Sequence, residues 1–102
     1  MPLPRPDEPP LLPIAGALLR RRCKVAGIIR SVRIEPGVKV PVFEVVVEDA
    51  TGRMVGAFWG RRTIPGIRTG ERIEMIGTPR LRGAEKVMAN PLYTLRRSEP
   101  SH

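Results

Sequence analysis

Trp59 is the only tryptophan in this 102-residue chain, and Arg61 and Arg62 follow it closely. An exposed indole can stack on a nucleobase, and guanidinium groups beside it can neutralise phosphates. A second basic group, Arg80, Arg82 and Lys86, surrounds Gly83, whose missing side chain lets a loop approach another backbone. Lys39 and Arg53 add cations elsewhere on the expected binding surface. These eight residues are the candidate nucleic-acid-binding set. Groups for catalysis are scarce. His102 is the only histidine and Cys23 the only cysteine, so neither an acid–base pair nor a metal cluster is expected. Glu44 and Glu48 share one side of a strand, where acid pairs are ordinarily solvated. The expectation is a binding module, not an enzyme, with no metal and no cofactor.

Composition points the same way. Lys and Arg number 18 against 10 Asp and Glu, a net charge of +8, which favours a polyanionic partner through counterion release. The densest cluster is Arg20-Arg21-Arg22 with Lys24, which reads as a solvated face or as an extension of a phosphate track. A lone Cys23 forms no internal disulfide and fits a small buried apolar position in a reducing cytoplasm. The apolar run Leu11–Leu19 falls short of the roughly 20 residues that span a bilayer. Asp7, Glu8 and Pro13, with the arginine triplet behind them, also exclude a signal peptide. A cytoplasmic protein without a membrane partner is expected.

The elements that position these residues are short and extended. Residues 1–19 form a Pro-rich flexible leader, in which Ile14–Leu19 has room for one helical turn leaning on the folded part. The folded part is expected over 20–97, with a tail at 98–102. Its first strand runs Cys23–Glu35, with a bulge near Gly27-Ile28 and a turn at Pro36-Gly37. The second, Val40–Glu48, alternates Phe43, Val45 and Val47 against Glu44, Val46 and Glu48. Asp49–Gly52 is a hairpin turn, followed by a third strand, Arg53–Gly60. Pro65 and Gly66 forbid a long helix over Arg61–Gly70, leaving Ile64 and Ile67 to plug the barrel from a turn. A fourth strand covers Glu71–Thr78, a loop Pro79–Glu85, and a fifth strand Lys86–Leu95 is broken by Pro91. An all-β, five-stranded Greek-key barrel of the OB type follows, because closure removes the edges on which such a chain would aggregate.

Three runs carry a family resemblance. They are Asp49-Ala50-Thr51-Gly52-Arg53-Met54 with Phe58-Trp59, then Gly70-Glu71-Arg72-Ile73-Glu74-Met75-Ile76-Gly77, then Lys86–Leu95. This pattern resembles the OB-fold wedge domain of the RecG helicase. It is similar also to small stand-alone actinobacterial OB-fold proteins, in which the Gly60-Arg61-Arg62 and Ile64-Pro65-Gly66-Ile67 segment finds a match. The resemblance spans about Lys24 to Arg96 and implies binding along the second and third strands, framed by the Glu35–Pro41 and Pro79–Lys86 loops. It implies no motor, since no phosphate-cradling G-x-x-x-x-G-K-[ST] segment is present.

The partner expected first is single-stranded or branched DNA, and RNA second. The alternative is an interaction barrel docking on a protein partner, favoured by Glu44 and Glu48 and by an aromatic content of only 4%. Strand parity sends Phe58 and Trp59 to opposite faces, and the residues around them leave either one inside. The resemblance implies Phe58 in the core and Trp59 on the binding face.

Overall fold

β-Branched residues at alternating positions favour extended backbone with one face buried. The computed structural model describes residues 8–34 and 39–96 and places seven strands in them. They are β1 (Cys23–Ile34), β2 (Val42–Glu48), β3 (Arg53–Trp59), β4 (Arg72–Gly77), β5 (Pro79–Arg82), β6 (Glu85–Ala89) and β7 (Leu92–Arg96). All belong to one sheet in the order β5-β6-β3-β2-β1-β4-β7. Every pairing is antiparallel except the parallel contact of β3 with β6. The Pro36-Gly37 turn, most of the Glu35–Pro41 loop and the 98–102 tail lie outside the described residues.

The closed five-stranded barrel expected from the sequence is therefore corrected to a seven-stranded, barrel-like sheet whose end strands are β5 and β7. The expected fifth strand is divided into β6 and β7, and β5 lies where a loop was expected. Gly83 adopts φ +62, which closes a tight turn and lets Pro79–Arg82 pair with Glu85–Met88. Only Thr78 separates β4 from β5. The chain changes partners there, from β1 and β7 to β6. Gly77 permits this approach, since a Cβ on it would lie 3.1 Å from Met88 Sδ. The break before β7 falls at Pro91, which has no N–H to give a ladder.

Curling of the sheet is visible in contacts between strands that are not neighbours. Gly56 on β3 faces Met75 on β4, so closely that an added Cβ would sit 2.6 Å from the sulfur. Phe58 on β3 meets Tyr93 on β7 edge-on, with ring centroids 5.5 Å apart. One core results, built from Val25, Ile29, Val45, Val47, Ile73, Met75 and their neighbours. Ile64 and Ile67 enter it from the Arg61–Gly70 segment, as their turn setting suggested. The bulge in β1 comes later than Gly27-Ile28: the register with β2 shifts between Ile29 and Ser31. Gly27 serves a different end, since any Cβ there would collide with the Glu48 carbonyl.

From Glu8 the leader lies against the sheet. Leu12 N–H donates to the Lys24 carbonyl at 2.8 Å, and Lys24 N–H to that of Pro10 at 3.2 Å. Ile14–Gly16 forms one 3₁₀ turn that buries Ile14 in the core. Side chains from elsewhere fasten it. Asp49 accepts from Ile14 N–H at 2.9 Å and Thr51 Oγ1 from Ala15 N–H at 3.0 Å. Lys86 Nζ donates to the carbonyls of Ile14 (3.1 Å) and Ala17 (2.9 Å).

Burial alone would raise the Asp49 carboxyl. Bonds from the Thr51 hydroxyl and from the N–H groups of Ile14, Thr51 and Gly52 outweigh it and hold the group below the usual carboxylate range. Glu48 is lowered by Arg30, and Glu85 by Arg82 and then Arg33. A carboxyl lowered by folding stabilises the native state above its unfolded pKa, and that stability drains away as pH falls through the folded value. The melting temperature is accordingly expected to stay level from pH 7 to 5 and to fall below about pH 4. Asp49→Ala should lower stability by about 2 kcal/mol at neutral pH and flatten the acid limb, both readable by thermal melts across pH. An unchanged acid limb in that variant would remove Asp49 from the account.

Candidate functional site

The outward residues of β2, β3 and β6 line up across the sheet. Val42 stands opposite Trp59, Glu44 opposite Ala57, Ala57 opposite Ala89, and Val55 opposite Val87. The β5–β6 hairpin rises along one side of this surface, and a groove of about 990 Å³ opens between them. Val42, Ala57, Val87 and Leu92 give it an apolar lining, with Trp59, Arg22, Arg80, Arg82 and Asn90 around it.

Trp59 is 56% exposed while Phe58 is buried at 6%. Met54 and Phe58 belong to the core, and Gly56 between them faces Met75, where its missing side chain leaves room for the sulfur. Trp59 is held by its backbone, whose N–H donates to Asn90 Oδ1 at 2.9 Å. Asn90 N–H in turn reaches the Ala57 carbonyl at 2.7 Å, with Asn90 at φ +48. Asparagine tolerates this left-handed conformation better than most residues. Tyr93 supports Phe58 edge-on from β7.

The eight residues singled out from sequence divide sharply. Arg80 lines the groove and, among the described residues, has no ion pair; Arg61 and Arg62 are exposed and equally unpaired just after Trp59. Lys39 is exposed beside the undescribed 35–38 segment and does not line the groove. The other three are engaged internally. Arg53 Nε lies 3.5 Å from Glu48. Lys86 holds the 3₁₀ turn through its two carbonyls. Arg82 bonds both oxygens of Glu44, at 2.5 and 3.0 Å, and Glu85 at 3.0 Å. Hydrogen bonds from Glu44 first and Glu85 second push the Arg82 guanidinium further above its ordinary value.

Glu44 is not a solvated repulsive charge on the strand face. It is 3% exposed, and its carboxylate is neutralised by Arg82 and by Arg33 at 3.3 Å. This matters for electrostatics: a paired buried carboxylate repels a nearby phosphate far less than a free one.

Most of the groove lining was not in the sequence-derived set, and Arg22, Asn90 and Leu81 stand out in it. Arg22 belongs to the basic triplet, which a backbone bond from Arg20 N–H to the Pro79 carbonyl (2.8 Å) ties to the start of β5. Asn90 is signalled in sequence by its place before Pro91 at a strand break. Leu81, 58% exposed, had no signal while Pro79–Glu85 read as a loop. Among the described residues, no group of three or more His, Cys, Asp or Glu side chains is placed to hold a metal ion. Cys23 is buried, and burial pushes its thiol above the usual value. No described helix is long and apolar enough to cross a membrane. No protein-family model matches the chain, and no curated protein matches it.

Proposed function

We propose that this chain is a non-catalytic, OB-like module that binds single-stranded or branched DNA, with RNA as the second candidate. In this reading β4 with β5, and β6 with β7, each act as one bent strand, and the groove along β2, β3 and β6 is the binding surface. The pairing of β1 with both β2 and β4, and the parallel pairing of β3 with β6, support that arrangement. It is also what the resemblance to the RecG wedge domain implies.

The observation that carries the proposal is the exposed Trp59 beside an apolar-lined groove with the unpaired Arg80 across it. One base stacks on the indole while the backbone runs past Arg80 and the Arg20–Arg22 turn, with Arg61 and Arg62 beyond. Glu44 does not oppose it, because Arg82 and Arg33 already neutralise that carboxylate. A single stacking platform and a handful of free cations make a modest, salt-sensitive binder.

The test is a titration with short single-stranded DNA, followed by Trp59 fluorescence at several salt concentrations. Saturable quenching is expected, with three to five phosphate contacts giving a log–log salt slope of about −2 to −3.5. Binding by anisotropy without quenching would move the site off Trp59. A second reading, docking of a protein partner, draws on Leu18, Leu19 and Leu81, all exposed near the same arginines. It gains if no nucleic acid binds at low salt and one stoichiometric protein is recovered after nuclease treatment.

A further inference from the structure

Resting on the nucleic-acid reading above, we infer that a second cavity, at the free edge of β5, is a phosphate site that takes the phosphorylated end of a bound strand. The cavity measures about 490 Å³ and is lined by Leu19, Arg20, Thr78, Arg80 and Leu81. Thr78, Arg80 and Leu81 also line the larger groove, so the two spaces adjoin. Four donors border the smaller one. The side chains of Arg20 and Arg80 have no partner among the described residues, and the Thr78 hydroxyl is equally uncommitted. The fourth donor is a backbone group. β5 is an end strand, paired only with β6. Arg20 N–H reaches the Pro79 carbonyl at 2.8 Å from the unpaired side, so that carbonyl points away from β6. Alternation along the strand turns the Leu81 N–H to the same side, where it has no partner among the described residues.

Two guanidinium groups, a hydroxyl and an exposed N–H, with no carboxylate among the lining residues, suit a phosphate. The backbone of Arg20 is a second observation. It adopts φ +66, a left-handed conformation that strains an arginine and that glycine adopts freely. The bond to Pro79 needs only the N–H, so the guanidinium is what glycine would fail to supply. A strand end fits this cavity better than a linkage within a strand. The leader is bonded to β5 across its unpaired edge, so a chain passing over Arg80 from the groove runs into it. A terminal monoester also carries a charge of about −1.5 to −2 at neutral pH, against about −1 for an internal diester, and two guanidinium groups match the larger charge.

The experiment is a calorimetric titration of the full chain with unlabelled short oligo(dT) carrying a 5′-phosphate, a 3′-phosphate or hydroxyls at both ends, at one low salt concentration. A phosphate at one of the two ends is expected to tighten binding about 10-fold, the worth of one charge-assisted hydrogen bond. The same group at the other end should tighten it less than about 2-fold. Both phosphorylated oligomers carry the same charge, so the comparison separates a site from general attraction. The favoured end should lose most of its advantage on going from about pH 7.5 to about pH 5.5, as the monoester takes up its second proton near pH 6. Arg20→Gly should remove the end preference without lowering the melting temperature, since glycine accepts the positive φ and keeps the N–H. Equal tightening by either phosphate, or by neither, overturns the inference and leaves the binding module standing. An end preference that survives in both Arg20→Gly and Arg80→Ala overturns it as well. Saturable binding of inorganic phosphate without any end preference would assign the cavity to free phosphate and sink the strand-end assignment. Failure of every oligomer to bind overturns the inference together with the reading beneath it.

Discussion

Arg82→Met is expected to lower the free energy of unfolding by about 1–3 kcal/mol, whereas Arg80→Ala, two residues away, should change it by less than about 0.5 kcal/mol. Both arginines are exposed enough to look alike on a surface map. They differ in what they leave behind. Removing Arg82 strips both hydrogen bonds from Glu44, whose carboxylate is buried and has only Arg33 at 3.3 Å to fall back on. An unpaired buried carboxylate carries its full desolvation cost. About half of the Arg82 side chain is in solvent, so the loss sits below the 3–5 kcal/mol of a fully buried pair. Glu44→Met together with Arg82→Met should recover most of the loss, since an apolar pair leaves no charge stranded. Chemical denaturation of the two single variants and the double variant measures this directly. Strictly additive effects would mean the pair does not stabilise the fold.

The second large effect concerns binding. Trp59→Ala should weaken single-stranded DNA binding by about 1–3 kcal/mol, roughly 5- to 150-fold, with little change in melting temperature because the ring is more than half exposed. Its salt slope should match that of the wild type, since no phosphate contact is lost. Arg80→Ala should behave oppositely, reducing the slope by about 0.7 with a smaller loss at high salt. The two variants thus separate stacking from charge neutralisation. Undiminished affinity in Trp59→Ala would remove the indole from the site, and an unchanged slope in Arg80→Ala would remove the hairpin.

These variants mark where reading the sequence succeeds and where it stops. Extended structure over Cys23–Ile34, Val42–Glu48, Arg53–Trp59 and Arg72–Gly77 was legible, because a period of two in Val, Ile, Phe and Met is a local signal. The break at Pro91 and the insertion of Ile64 and Ile67 into the core were legible for the same reason, since proline and glycine act on their own backbone. The hairpin Pro79–Arg82 with Glu85–Ala89 was not. Its first strand, with only Leu81 apolar between Arg80 and Arg82, carries little periodic signal. Its strand character comes from pairing with β6, which itself leans on β3.

Charge was harder still. Arg80, Arg82 and Lys86 looked equivalent in sequence, and their net charge was a reliable total. Which of them remains free depends on partners far away in the chain. Arg82 meets Glu44 across 38 positions, and Lys86 meets the carbonyls of Ile14 and Ala17 across 72 and 69. Sequence alone determined the alternation that makes strands, the turns that separate them and the excess of positive charge, all set within a few residues by sterics and composition. Tertiary structure alone decided which face Trp59 takes, which arginines are spent on Glu44 and which on nothing. Those outcomes depend on how the sheet curls and on what its register brings within hydrogen-bond reach.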